Sequence, residues 1–216
     1  MSQLKGKVAL VTGASRGIGA AIARRLSQDG ANVAFTYVNG RDKAEAVVAS
    51  IEAAGRKGLA IAADSRDASQ VERAVGETAD RLGGLDILVN NAGLFPVGPF
   101  DQMPLEVFEE TIAVNVRAVF VASKAASAHM KDGGRIITIG SNLADRVPAP
   151  GLALYAASKA AAIGLTKGMA RDLGSRGITV NLVNPGPTDT DLNPENGPRA
   201  EMQKRAMAIP RFCKPE

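Results

Sequence analysis

Six short runs made almost wholly of apolar residues punctuate the chain, at 7–12 (KVALVT), 32–38 (NVAFTYV), 58–63 (GLAIAA), 85–90 (LDILVN), 134–140 (GRIITIG) and 178–183 (ITVNLV). Between them lie stretches with helical character, at 17–30, 42–55, 68–82, 104–130 and 154–176. Strands that are apolar on both faces must be covered on both faces, and regular alternation with helices supplies the cover. A parallel sheet between two helical layers is therefore predicted.

Right-handed crossovers make this a doubly wound, Rossmann-like α/β fold. No linker divides the chain, so residues 1–216 are read as one domain. Gly30 is expected to close the first helix. Asp42 is expected to cap the second, with Glu45 three residues on. Pro104 suits the first turn of the fourth. The Pro- and Gly-rich stretch 184–198 reads as a long functional loop.

The turn after the first strand narrows the function. TGASRGIGAAIA (12–23) leads from a strand into a helix. Such a turn brings backbone N–H groups and a helix N-terminus to a pyrophosphate. Gly13, Gly17 and Gly19 leave out side chains where the backbone turns or approaches a ligand. Their spacing is G-x-x-x-G-x-G, different from the general dinucleotide fingerprint. A tight turn packed without a ligand is the alternative. An NAD site places a carboxylate at the end of the second strand to meet the ribose 2′-OH. Here that strand ends TYVNGR, with Asn39 and Arg41 and no acid, and Arg16 lies in the glycine loop. Two guanidiniums suit a 2′-phosphate, so NADP(H) is favoured over two solvated surface arginines.

Composition closes other routes. Cys213 is the only cysteine and His129 the only histidine, so a Cys/His metal site is not expected and no internal disulfide can form. The net charge is +4 with scattered basic residues and 4% aromatics, which argues against nucleic acid as a partner. No segment approaches a membrane span. Residues 1–7 lack the apolar core of a secretory signal, so a reducing cytoplasm is the expected setting.

ALYAASKAAAIGL (153–165) holds Tyr155 and Lys159 one helical turn apart. Alone, this reads as an amphipathic helix with a half-buried Tyr and a snorkelling Lys.

The chain as a whole resembles the short-chain dehydrogenase/reductase family, in pattern nearest the 3-oxoacyl-acyl-carrier-protein reductases. The resemblance rests on Thr12 to Gly19, Asn90-Asn91-Ala92-Gly93, Asn115, Ser141, Tyr155-x-x-x-Lys159 and Pro185-Gly186, in family order. It implies cofactor contacts at Gly13, Ser15, Arg16, Gly17, Ile18 and Gly19, then at Asn39 and Arg41. Asp64 and Ser65 would meet the adenine, and Asn91, Ala92 and Gly93 its ribose. Asn91 also has a purely structural reading as a local hydrogen-bonding side chain. Pro185, Gly186, Thr188 and Thr190 would border the nicotinamide. Tyr155 and Lys159 would touch cofactor and substrate, and Ser141 the substrate oxygen. Asn115 would anchor a water in a proton relay, against the plain reading of a polar helix residue.

Hydride delivery to a ketone leaves an oxyanion that needs a proton. A free phenol titrates near about 10, so proton donation near neutrality asks for a shift worth roughly 4 kcal/mol. A cation about 4–5 Å away supplies that amount at an effective dielectric near 20, and Lys159 is the expected source. Ser141 stands fourteen residues before the tyrosine, where the family commonly has thirteen, and Asn142 holds the usual count. Ser141 is preferred because it ends the strand RIITIGS, with Asn142 as the alternative donor.

The expected activity is NADPH-dependent reduction of a carbonyl or acyl thioester, or action on small and cyclic ketones and alcohols. A non-catalytic NADP-sensing protein is the competing class. Arg176 and Lys131 could contribute a basic landing surface for a carrier protein. The helix at 154–170 is apolar on most sides, and such a helix needs cover all round, so an oligomer is expected, and the resemblance implies a homotetramer. The chain ends AIPRFCKPE, and the resemblance implies a further helix and a seventh strand beyond it, roughly thirty residues.

Overall fold

The computed structural model describes residues 3–216. Six strands form one parallel sheet: β1 (Val8–Val11), β2 (Asn32–Tyr37), β3 (Gly58–Ala62), β4 (Ile87–Asn90), β5 (Arg135–Ile139) and β6 (Thr179–Val183). Their spatial order is β3-β2-β1-β4-β5-β6. β1 pairs with β2 on one side and β4 on the other, with Leu10 level with Ala34 and Leu88. The chain reverses its direction of travel across the sheet at β1 and β4, and this opens a crevice at their C-terminal ends.

Helices α1 (Gly17–Gln28) and α2 (Arg41–Ala53) cover one face. Helices α3 (Ala68–Leu82), α4 (Leu105–Ile112), α5 (Ala118–His129) and α6 (Ala153–Leu173) lie elsewhere along the chain, and α3, α5 and the end of α6 cover the other face. The strand period of two divides the core accordingly. Ala9, Val11, Val33, Phe35 and Val89 pack with α1 and α2. Leu10, Leu88 and Ile136 pack with Val75, Ala122, Ala126 and Ile178.

Local chemistry sets the helix ends. Asp67 caps α3, its carboxylate accepting from the N–H groups of Ser69 and Gln70, and Gly83 ends α3 in the left-handed region at φ 88°. The second helix corrects the sequence expectation. Gly40, at φ 76°, occupies the capping position and α2 begins at Arg41. Left-handed glycine turns the chain two residues earlier than an Asp42 cap requires. Asp42 sits instead in the first turn, where its charge suits the helix dipole.

The long helical stretch from 104 is interrupted. A π turn spans Ala113–Arg117 between α4 and α5. The stretch 184–198 carries no helix or strand, as expected of a loop, and is tied down by a bridge between Thr188 and Cys213. A short helix that the sequence reading did not assign, α7 (Ala200–Arg205), follows it. Among the described residues, no helix is long and apolar enough to cross a membrane.

Candidate active site

A cleft of about 950 Å³ runs over the C-terminal ends of the strands. One end is built by the glycine loop. Gly13 and Gly17 sit at φ 65° and 56°, which a residue with a Cβ resists. Gly19 is needed for a different reason. A Cβ there would lie 2.5 Å from Asn91 Nδ2 and 2.8 Å from the Gly13 carbonyl.

Asn91 is the stitch that makes this packing necessary. Its Nδ2 donates to the carbonyls of Thr12 at 2.9 Å and Gly13 at 3.0 Å. Thr12 Oγ1 accepts from the N–H groups of Asn91 and Ala92. Thr36 Oγ1 accepts from Gly13 N–H. The exits of β1, β2 and β4 are thus locked together, and the structural reading of Asn91 holds. The N-terminus of α1 carries no side-chain cap and no acidic residue in its first turn. It faces the cleft through Gly17, Ile18 and Gly19.

Ser15, Arg16, Asn39, Asp64, Ser65, Asn91, Ala92, Gly93, Pro185, Gly186, Thr188 and Thr190 all line the same cleft, as do Ser141, Tyr155 and Lys159. Arg41 and Asn115 do not. Arg41 is 83% exposed and pairs with Glu45 one turn along α2. The cation that reaches the cleft from α2 is Lys43, bonded at 3.0 Å to Asp191, whose same oxygen stands 4.0 Å from Arg16. At 3.6 residues per turn, residue 43 faces the cleft and residue 41 faces solvent.

Asn115 lies buried behind the cleft. Its Nδ2 donates to the Leu94 carbonyl and to Ser158 Oγ, and its Oδ1 accepts from Leu94 N–H. A buried amide must spend its polar atoms on partners, and this one spends them on protein. Ser158 Oγ in turn donates to the Tyr155 carbonyl, so Asn115 pins the 93–95 segment against α6. That places Phe95 edge-on to Tyr155, with ring centroids 4.5 Å apart.

The Tyr155 phenol and Ser141 meet in the cleft, near enough for the serine hydroxyl to favour the ionised phenol. Ser141 is oriented by its own backbone N–H, which donates to Asn184 Oδ1 at 3.0 Å, and by Leu143 N–H, which donates to its Oγ. A one-turn 3-10 helix at Asn142–Ala144 follows Ser141 directly. Lys159 Nζ donates to the Ile139 carbonyl at 2.9 Å and stands 5.8 Å from the Tyr155 ring centroid.

Burial pushes the Lys159 ammonium down to about 8. Burial also pushes the Tyr155 phenol above its ordinary value, against the opposing hydrogen bond of Ser141. The expectation that Lys159 brings the phenol down is therefore not met among the protein's own groups. Removing both groups from water favours the neutral form of each.

Asp64 is held ionised by the Arg66 guanidinium, which also pairs with Glu110. Arg176, considered above for a carrier surface, spends its guanidinium on the carbonyls of Ser127 and Met130 at the end of α5. Among the described residues, no group of three His, Cys, Asp or Glu side chains could hold a metal ion.

The family model for short chain dehydrogenase matches residues 7–201. The chain belongs to the short-chain dehydrogenase family. It is 44% identical over its full length to a cyclic-di-GMP-binding biofilm dispersal mediator protein of Escherichia coli K12, covering 87% of that protein. It is 44% identical to the 3-oxoacyl-acyl-carrier-protein reductase FabG of Staphylococcus aureus Mu50, over 86% of this chain and 76% of that one. A short chain dehydrogenase of Burkholderia cenocepacia J2315, solved in complex with NADP, superposes with a TM-score of 0.98 at 59% identity, over 99% of this chain and 87% of that one. Membership makes this short-chain dehydrogenase an oxidoreductase of Rossmann-like fold.

Sequence reasoning missed Thr36, Lys43 and Asn184. Asn184 had a signal, standing directly before Pro185-Gly186. The others had none, because what brings them to the cleft is the packing of distant segments.

Proposed function

We propose that the chain is an NADPH-dependent carbonyl reductase, reversible as an alcohol dehydrogenase. The observation that carries this reading is the meeting of Tyr155, Ser141 and Lys159 in the cleft that also holds the glycine loop. The fit to NADP(H) rests on the glycine cradle, the uncapped α1 N-terminus and the two cations Arg16 and Lys43. The Burkholderia relative solved with NADP supports it.

Gly13, Ser15, Gly17, Ile18 and Gly19 would hold the pyrophosphate, and Arg16, Asn39 and Lys43 the 2′-phosphate. Asp64 and Ser65 would border the adenine, with Asn91, Ala92 and Gly93 beside the ribose. Pro185, Gly186, Thr188 and Thr190 would border the nicotinamide. NADPH, when bound, supplies a hydride to the carbonyl carbon. Tyr155 gives its phenolic proton to the substrate oxygen. A phenol kept protonated by burial is in the right state for that step. Ser141 hydrogen-bonds the same oxygen and steadies its developing charge. Lys159 offsets the charge left on the phenol. Asn115 is a positioning residue, acting through Leu94 and Ser158.

The finer substrate reading is a hydrophobic ketone or a 3-oxoacyl thioester. Leu94, Phe95, Val97 and Leu152 offer an apolar wall, and the S. aureus relative supports the thioester. The E. coli relative favours a second reading, a cyclic-dinucleotide-binding protein without turnover. Initial rates of NADPH oxidation with acyl thioesters, β-keto esters, cyclic ketones and sugars separate the two. Binding of cyclic-di-GMP with no oxidation of NADPH by any carbonyl would establish the second.

We infer a homotetramer in the cytoplasm. Support comes from an exposed small-residue stripe on α6, at Ala153, Ala157, Ala160 and Gly164, and from exposed Phe108 and Phe120 on α4 and α5. Sedimentation at micromolar concentration tests the assembly, and a stable active monomer refutes it.

A further inference from the structure

The charged residues that line the cleft divide into two groups. Towards the glycine loop every carboxylate has a cation. Asp191 is shared by Lys43 and Arg16, and Arg66 holds both Asp64 and Glu110. Beyond Tyr155 the pattern changes. Arg146, on the loop after the 3-10 turn, and Arg199, directly before α7, line the cleft with no carboxylate paired to either among the described residues.

Arg199 is held in place without a counter-charge. Its guanidinium carbon stands 4.7 Å over the centre of the Phe95 ring. The same ring meets Tyr155 edge-on. Arg199 is half-buried, whereas Arg146 is exposed. A guanidinium stacked on an aromatic face keeps its N–H edge free for hydrogen bonding. Its fork geometry matches a carboxylate or phosphate bidentately. One aromatic ring separates that fork from the phenol, so an anionic group bound there sits a few bonds from a carbonyl at Tyr155.

We propose that Arg199, assisted by Arg146, selects carbonyl substrates that carry an anionic group, a carboxylate or a phosphate, close to the reacting carbonyl. The proposal rests on the carbonyl-reductase reading above. Leu94, Phe95 and Val97 then contact the apolar part of such a substrate, and the two arginines fix its charged end.

The test uses matched pairs with saturating NADPH: acetoacetate against its methyl ester, and dihydroxyacetone phosphate against dihydroxyacetone. The anionic member of at least one pair is expected to be favoured in kcat/KM by about tenfold or more, the scale of a charge-assisted hydrogen bond. Which pair shows the preference tells carboxylate from phosphate. Arg199→Gln should bring that ratio near parity, chiefly through KM. Arg199→Lys should keep part of it, and Arg146→Gln should lower it less. Unchanged NADPH binding in the variants shows that they are folded. A wild-type enzyme that reduces the neutral members as well as the anionic ones overturns the proposal and leaves the reductase reading standing. So does an Arg199→Gln enzyme with an unchanged ratio. No NADPH oxidation with any carbonyl overturns both readings together.

Discussion

The Asp191 carboxylate reaches across the cleft to the Lys43 ammonium at 3.0 Å, joining residues 148 apart in the chain. It ties the 184–198 loop to the first turn of α2, over the glycine loop. Arg16 approaches the same oxygen. These are the cations proposed to bind the 2′-phosphate, so the loop carboxylate and that phosphate compete for one site.

Asp191→Asn is therefore expected to tighten NADPH binding about two- to fivefold, the range of an exposed ion pair, with NADH little changed. Lys43→Ala should reduce the preference for NADPH, and Arg41→Ala should leave it nearly intact. Fluorescence titration with both cofactors at low and high salt measures these effects, which salt should diminish. An Asp191→Asn protein that binds NADPH more weakly, or an Arg41→Ala protein that loses the preference, contradicts the assignment.

Tyr155→Phe should lower turnover by about 10²–10⁴-fold, the usual contribution of a general acid. NADPH affinity should change little, because the ring still packs on Phe95. Steady-state rates beside cofactor titration check this. Substantial reductase activity in the Phe variant would falsify the role of Tyr155.

Lys159 titrates near about 8 in the folded protein and near about 10.4 in an unfolded chain. Between those values the unfolded chain holds more protons, so this residue makes stability rise with pH across that window. Lys159→Met should lack that rise, which denaturant titrations at several pH values would show. The reduction rate should fall as pH climbs through about 8, because the cation that offsets the phenolate is lost. A rate that stays level to about pH 10 would count against this role for Lys159.

Gly19→Ala should cost about 1–3 kcal/mol, as overpacking does, and should weaken NADPH binding by displacing Asn91. Gly76 on α3 is the contrast, since a Cβ there meets nothing within 4 Å. Gly76→Ala should stabilise by about 0.5–1 kcal/mol through helix propensity. Thermal and urea unfolding of both variants test the pair. A Gly19→Ala protein as stable as the parent would remove the packing argument.

The sequence by itself determined the layered α/β fold and the chemistry at the centre of the cleft. Apolar runs, helical periods, the glycine loop and the four-residue step from Tyr155 to Lys159 are local patterns, and short-range sterics and side-chain periodicity act on them directly. The chain segments 7–12, 85–90 and 134–140 were legible as strands because each is apolar on both faces. The π turn at Ala113–Arg117 and α7 were not, because neither carries a periodic apolar signal. Tertiary structure alone decided which side chains face the cleft. It turned Lys43 inward and Arg41 outward, spent the Asn115 amide on Leu94 and Ser158 and the Arg176 guanidinium on backbone carbonyls, and stacked Arg199 on Phe95. It also reversed the expected direction of the Tyr155 titration. Burial is a sum over segments far apart in the chain, and it disfavours the charged form of each group it covers.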